Sequence, residues 1–133
     1  MRGKKAYSTE VLHPSHSCTV SKKHLEPLKS AAVVKCQGYE VLKVPPILLC
    51  EDFFEKNEFS IVQGHHRAYV AATRNVYLEG IIIDTEEDCY LLPRTAYGEW
   101  TAEDFIYAFR NTPAWRTDTR ANCDSVLSMR VVD

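Results

Sequence analysis

The sequence lacks the long apolar segments that membrane-spanning helices require. Its longest apolar run covers residues 44–50 and contains two prolines, whereas a helical span needs about 20 apolar residues. No apolar stretch follows the basic residues near the start, which argues against a secretory signal. We therefore expect no membrane partner and a cytoplasmic location.

The chain also has few residues that interrupt secondary structure. Only five glycines and six prolines occur among its 133 residues, and no linker or internal repeat separates one part from another. Hydrophobic residues make up 45% of the sequence and charged residues 26%, close to the values of ordinary globular proteins. A chain of this length can bury a hydrophobic core without disulfides or metals. These features predict a single globular domain over residues 1–133.

Paired cysteine motifs are absent. The five cysteines are an odd number, and no two of them form a C-x-x-C motif. In a reducing compartment, scattered thiols behave mainly as small buried apolar side chains. We therefore expect all five thiols to be reduced. They belong to Cys18, Cys36, Cys50, Cys89 and Cys123.

Zinc-binding motifs are incomplete. His13, His16 and Cys18 lie within six residues of each other, and imidazole and thiolate are natural zinc ligands. However, no second ligand pair at the spacing of a zinc site follows them, and a motif without its context is weak evidence. We predict no metal and no cofactor, and we keep these three residues as weak candidates.

Catalytic signatures are absent too. The sequence contains no G-x-S-x-G, no P-loop, no G-x-G-x-x-G and no H-E-x-x-H motif, which removes the commonest signals of hydrolases, nucleotide-binding enzymes and metalloproteases. The sequence therefore favours a binding protein over an enzyme.

Charge is distributed unevenly along the chain, although the net charge is only −2. Residues 1–50 carry eight basic and three acidic residues, whereas residues 51–104 carry four basic and twelve acidic residues. Charged surfaces steer association and select partners. The sequence therefore favours a small regulatory, inhibitor-like protein that contacts a protein partner through an acidic surface. The candidate interface residues are Glu86, Glu87, Asp88, Glu99, Glu103 and Asp104.

Residues 62–80 offer an alternative, a small enzyme or small-ligand-binding protein. Here His65, His66 and Arg67 form a cationic edge for an anionic ligand, because histidine titrates near neutral pH and arginine binds carboxylate or phosphate. A purely structural interpretation places the histidines at an exposed loop tip before a strand over 68–73. Further candidates for the ligand edge are Arg74, Trp115, Arg116 and Arg120.

Nucleic-acid binding by the lysine-bearing N-terminal third is another alternative. The net negative charge of the whole chain lacks the basic footprint that is typical of nucleic-acid-binding proteins. We therefore expect no nucleic-acid partner.

Strand-like segments dominate the sequence and predict an α+β domain with a mostly antiparallel sheet. Gly38 separates two β-rich runs in a predicted hairpin, and the alternation over 59–63 predicts a strand. Two apolar runs, 76–83 and 89–93, flank the acidic loop 84–88 and predict a second hairpin. Pro45 and Pro46 are expected to end the strand before them.

One clear helix is predicted over residues 102–111. Ala102, Phe105, Ile106 and Phe109 have the spacing of a buried helical face. Thr101 is a suitable N-cap, and its neighbour Trp100 can pack against Phe105 as a hydrophobic staple. A second, short helix is predicted near residues 51–57, around Phe53 and Phe54.

Overall fold

The computed structural model describes residues 1–15, 18–51, 55–92, 97–112, 123 and 125–133. Within these ranges the strands are β1 (Arg2–Tyr7), β2 (Leu12–His13), β3 (Thr19–Ser21), β4 (Val33–Cys36), β5 (Tyr39–Glu51), β6 (Phe59–Gln63), β7 (Tyr77–Ile82) and β8 (Arg130–Val132). The α-helices are α1 (Lys22–Leu25), α2 (His65–Thr73) and α3 (Ala102–Arg110). Short 3₁₀ helices span Thr9–Val11, Glu26–Leu28, Glu86–Leu91 and Val126–Ser128.

The strands form one large mixed sheet and one small sheet. The order in the large sheet is β1-β7-β5-β6-β2, and β4 pairs with the first half of β5. Of the pairings between the described strands of this sheet, three are antiparallel and two, β5 with β7 and β2 with β6, are parallel. The predicted α+β class is confirmed.

Strand β5 is the centre of the large sheet. Its hairpin with β4 turns at Gln37 and Gly38, which both have positive φ angles, as a tight two-residue hairpin requires, so the hairpin predicted at Gly38 is confirmed. The prediction that Pro45 and Pro46 end the strand is wrong. The pairing with β7 shifts register between Leu42 and Ile47, and this irregularity accommodates two residues that cannot donate backbone hydrogen bonds.

Helices cover both faces of the sheet. Successive residues of a strand point to opposite sides, so one strand packs against helices on both faces. Ile47 and Leu49 of β5 pack in one cluster with residues of α2, whereas Leu48 and Cys50 pack in another cluster with residues of α3. The apolar run of β5 is therefore buried on both faces, as in sheets with helices on both sides.

Helix α3 confirms the prediction for 102–111 within one residue. The Thr101 side chain accepts a hydrogen bond from the Asp104 amide, and the Asp104 carboxylate accepts one from the Thr101 amide at 2.8 Å. Trp100 packs against Phe105 with ring centroids 5.2 Å apart, as the staple predicts. Phe105 and Phe109 are buried, and Ile106 is half-buried.

Two other predicted elements differ from the structure. The segment expected as a strand over 68–73 belongs to α2, and the second strand of the acidic hairpin is replaced by the 3₁₀ helix Glu86–Leu91. That helix forms because Thr85 and Asp88 make a capping box, and such a box favours a helical turn over an extended strand. Residues 52–54, at the centre of the short helix predicted near 51–57, lie outside the described residues.

The small sheet pairs β3 with β8 in parallel, next to a disulfide between Cys18 and Cys123. The expectation of five reduced thiols is therefore wrong for these two residues. Their sequence separation of 105 residues explains the error, because no local spacing relates two such distant cysteines. The remaining cysteines, Cys36, Cys50 and Cys89, form no disulfide with a described residue and carry thiols.

None of the helices in the described ranges has the length and apolar character needed to cross a lipid bilayer.

Candidate functional site

A cleft of about 1210 Å³ lies between the start of α2 and the exposed side of α3. Residues 62–67 line it at the end of β6, where the chain passes from the sheet into α2. Crevices at strand ends beside a helix are common places for ligand sites in α/β sheets. The cleft is also lined by Tyr97, Gly98, Trp100, Asp104, Tyr107, Ala108 and Asn111.

Gly64 makes the sharp turn from β6 into α2. Its φ angle of 119° is open to glycine but strained for other residues. As the N-cap of α2 it has no side chain to accept from the first helical amides, and these amides give a helix start a partial positive charge. This part of the cleft is therefore electrostatically suited to an anion.

His65 and His66 brace the first turn of α2 against the N-terminal segment. The Ser15 amide donates to His65 Nε2 at 3.0 Å, and the Ser21 amide donates to His66 Nε2 at 3.0 Å. A ring nitrogen that accepts a hydrogen bond carries no proton. Both rings therefore act as neutral acceptors here, and the predicted cationic edge does not arise from them.

A third histidine lies beside His66. The rings of His24 and His66 have centroids 5.0 Å apart, and His24 Nδ1 lies 2.8 Å from Ser21 Oγ. Burial, together with the nearby His24, lowers the pKa of His66 below its ordinary value of 6.5. The neutral state of His66 is therefore the one that the folded protein favours.

We expect a pH dependence from His66. Between the lowered pKa of His66 and the ordinary value of about 6.5, the unfolded chain binds more protons than the folded chain. The neutral His66 therefore contributes to folding stability above this pH range. The contribution is lost as the pH falls through the range. His66→Gln keeps an acceptor for the Ser21 amide but does not titrate. Melting temperatures from pH 7.5 to 5 should therefore fall less for His66→Gln than for the wild type. Parallel curves would contradict this assignment.

Arg67 is the positive charge of the site. Its side chain is 9% exposed, and its Nη1 donates to the carbonyl oxygens of Pro45 at 2.7 Å and Pro46 at 3.0 Å. Its Nη2 donates to Gln63 Oε1. These bonds attach α2 to the register shift in β5, and they hold the guanidinium at one wall of the cleft.

The charge of Arg67 has no acidic partner in the described part of the chain. None of the ion pairs found there involves Arg67. Burial lowers the pKa of the guanidinium to about 10, so it remains charged at neutral pH. Because buried charges are normally paired with an opposite charge, this arrangement fits a cleft that receives its anion from outside the chain.

Tyr97 lies next to Arg67 on the same wall. The guanidinium carbon is 5.9 Å from the centre of the Tyr97 ring, within the range of a cation–π contact. The Tyr97 hydroxyl is buried and has no hydrogen-bond partner among the described residues, which is uncommon for a buried polar atom. Burial raises the pKa of Tyr97 to about 12, so the hydroxyl keeps its proton and remains a donor.

Aromatic and apolar side chains complete the cleft. Trp100 and Tyr107 line it from the α3 side, and Pro27 and Leu28 line it from the N-terminal side. Tyr107 is 72% exposed. Asp104 is the one acidic residue among the lining residues that the structure describes, and its carboxylate is bonded to the Thr101 amide and hydroxyl.

The structure brings together three of the residues predicted for the ligand edge, His65, His66 and Arg67. It places a fourth elsewhere, because the exposed Arg74 donates to the Ala31 carbonyl at 2.6 Å and does not line the cleft. Trp115, Arg116 and Arg120 lie outside the described residues. Sequence reasoning missed Tyr97, Trp100 and Tyr107 as cleft residues, and no local motif identifies them.

The predicted acidic interface is divided by the structure. Asp88 is buried and accepts from the Asp84 amide at 2.9 Å, so its expected position at an exposed hairpin tip is wrong. Glu86 is bonded to Arg110 Nη2 at 2.8 Å, and Asp104 caps α3. The remaining carboxylates, those of Glu87, Glu99 and Glu103, are exposed.

The weak metal candidates are committed to other contacts where the structure describes them. Cys18 is in the disulfide, and His13 Nε2 lies 2.6 Å from Glu58 Oε1. His16 lies outside the described residues. Within those residues, no three histidine, cysteine or acidic side chains are grouped so that they could hold a metal ion.

No protein-family model matches the sequence, and no curated protein matches it at a significant level.

Proposed function

We propose that this protein binds a small organic anion in the cleft between α2 and α3. The observation that carries the proposal is the buried charge of Arg67, which has no acidic partner among the described residues and lies beside the glycine-capped start of α2. A carboxylate or phosphate group at this position would supply the missing negative charge.

The size and lining of the cleft support a ligand larger than an inorganic ion. A volume of about 1210 Å³ accommodates a molecule of drug-like size. Trp100 and Tyr107 offer flat apolar surfaces, which pack well against rings and hydrocarbon groups. The ligand that fits best therefore has an anionic end near Arg67 and a flat or apolar body toward α3.

The first experiment is titration calorimetry with pyrophosphate and with citrate, each compared with sodium chloride at equal ionic strength. Saturable binding of at least one anion is the expected result. The two probes also distinguish a phosphate site from a carboxylate site. Heats that depend only on ionic strength for both anions would overturn the proposal.

A pair of tyrosine variants places the binding within the cleft. Tyr107 and Tyr90 are both strongly exposed, but only Tyr107 lines the cleft. Tyr107→Glu adds a negative charge on the α3 side of the same cleft and should weaken anion binding by at most about fivefold, because like charges in water repel by roughly 1 kcal/mol even when about 4 Å apart. Tyr90→Glu is the control with the same change in net charge. Equal effects of the two variants would contradict binding in the cleft.

Protein binding through an acidic surface stays a prediction. Three of the six candidate interface residues, Glu86, Asp88 and Asp104, are bonded within the protein. The prediction therefore depends on the exposed carboxylates of Glu87, Glu99 and Glu103. A cytoplasmic location stays a prediction as well. The Cys18–Cys123 disulfide counts against a cytoplasmic location, because disulfides are typical of oxidising compartments. Disulfides in cytoplasmic proteins are mostly catalytic or redox-sensing.

A further inference from the structure

The disulfide between Cys18 and Cys123 is a covalent attachment at the edge of the cleft. The two Cα atoms lie 5.9 Å apart, within the ordinary range for a disulfide. Both residues are half-buried rather than enclosed in the core. Cys18 directly precedes Thr19, which begins β3 and lines the cleft.

Strand β3 connects this disulfide to the histidines of the cleft. The amide of Ser21, its last residue, donates to His66 Nε2, and the Ser21 hydroxyl contacts His24 Nδ1. His24 and His66 both line the cleft. Only two residues, Thr19 and Val20, therefore separate Cys18 from the Ser21 amide that braces the start of α2.

Apart from the disulfide, β3 is held to the C-terminal segment by a short pairing. Its three residues pair with the three residues of β8, and the Arg130 amide donates to the Cys18 carbonyl at 2.7 Å. Two-stranded sheets are marginally stable on their own. A cross-link that closes a long loop restricts such a pairing strongly, because the entropic cost of closure grows with loop length.

We propose that the Cys18–Cys123 disulfide is a redox-controlled clamp on the anion-binding cleft. The reductant is a dithiol, either a small molecule or a protein. One of its thiolates attacks a sulfur of the disulfide and displaces the other as a thiolate, and its second thiol then resolves the mixed disulfide. The dithiol loses two electrons and becomes a disulfide, while Cys18 and Cys123 become thiols.

Reduction loosens the wall of the cleft. Without the cross-link, β3 is still held by the buried Val20, by its short pairing with β8 and by the hydrogen bond to His66. It loses its covalent attachment to the C-terminal segment, so it opens more often. Opening removes the Ser21 amide from His66 and disorders Thr19 at the rim. The effect on ligand affinity rests on the proposed function, whereas the effect on β3 does not.

The experiment compares the oxidised protein with the protein treated with dithiothreitol. Thiol titration of the unfolded, unreduced protein should count three thiols, those of Cys36, Cys50 and Cys89. Hydrogen exchange at the amides of Val20 and Ser21 should accelerate at least about fivefold on reduction, and pyrophosphate affinity should fall by a similar factor, the lower range of ordinary coupling between sites. The Cys36→Ser variant, which keeps the disulfide, should respond like the wild type.

The outcomes separate the two proposals. Faster hydrogen exchange in β3 on reduction, with no anion binding in either state, supports the control of β3 by the disulfide and overturns the proposed anion binding. Anion binding that is equal in both states, or exchange in β3 that does not change, overturns the clamp and leaves the proposed function standing. A count of five thiols in the unreduced protein also overturns it. The Cys18→Ser/Cys123→Ser variant lacks the disulfide and should behave like the reduced protein. If this variant does not fold, chemical reduction of the wild type still decides the question.

Discussion

Replacing Phe109 with alanine is expected to lower the free energy of unfolding by about 3–5 kcal/mol. The Phe109 side chain is 2% exposed and packs in the cluster between α3 and the sheet. Alanine would leave a cavity there, because the sheet on one side and the helix backbone on the other limit how far the site can collapse. Urea unfolding of the purified variant measures this loss.

Tyr107→Ala is the matched control for Phe109→Ala. Tyr107 lies on the opposite, exposed side of α3, and exposed substitutions usually change stability by no more than about 0.5 kcal/mol. Both variants replace an aromatic residue of the same helix with alanine. The difference between their free energies of unfolding therefore reports the burial of the ring and not the helix propensity of alanine. Similar losses in the two variants would show that α3 packs through a different face.

Gly64→Ala is expected to cost about 2–6 kcal/mol. A non-glycine residue at a φ angle of 119° carries about 1–3 kcal/mol of backbone strain. The added Cβ would also lie 2.7 Å from Ile47 Cβ, and overpacking of a core commonly costs about 1–3 kcal/mol more. Urea unfolding is again the measurement.

Gly38→Ala separates the two causes. Gly38 also has a positive φ angle, 86°, but nothing lies within 4 Å of the position of its Cβ. It should therefore show the backbone cost without the steric cost, and Gly64→Ala should be the more destabilising of the two by about 1–3 kcal/mol. Equal losses would mean that Ile47 moves aside easily and that the turn into α2 is less tightly packed than the structure indicates.

Helix α3 could be predicted from the sequence because its signals are local. The cap at Thr101, the staple at Trp100 and the spacing of Phe105 and Phe109 all lie within ten residues. Together they specify a helix and its buried face before any tertiary contact is considered. The hairpin at Gly38 was predictable for the same reason.

The sequence pattern predicts a strand where the structure has helix α2, because the buried face of this helix carries little apolar signal. That face consists of Arg67, Ala68, Val70 and Ala71, and small residues with one arginine do not give a clear helical pattern. The flanking residues were the better evidence, since Gly64 precedes the helix and Asn75, with its positive φ angle, follows it. A helix ending in this way is recognisable from its boundaries.

The cleft itself could be predicted only in part. The anionic-ligand interpretation grouped His65, His66 and Arg67 because they are adjacent in sequence, and all three line the cleft. It could not show that Arg67 is bonded to the carbonyls of Pro45 and Pro46, or that Tyr97 lies beside it, because these contacts join separate segments. The charge of the site therefore comes from one buried guanidinium rather than from a histidine pair.

The pairing of β1 with β7 joins the start of the described chain to a strand that is synthesised much later. The partner of β1 among the described strands is β7, with Arg2 opposite Ile82, so β1 leaves the ribosome long before the strand that it pairs with. An unpaired edge invites pairing with other chains, and charged side chains discourage this. Arg2, Lys4 and Lys5 are exposed on β1. Such charges disfavour pairing of β1 with other chains before β7 is available.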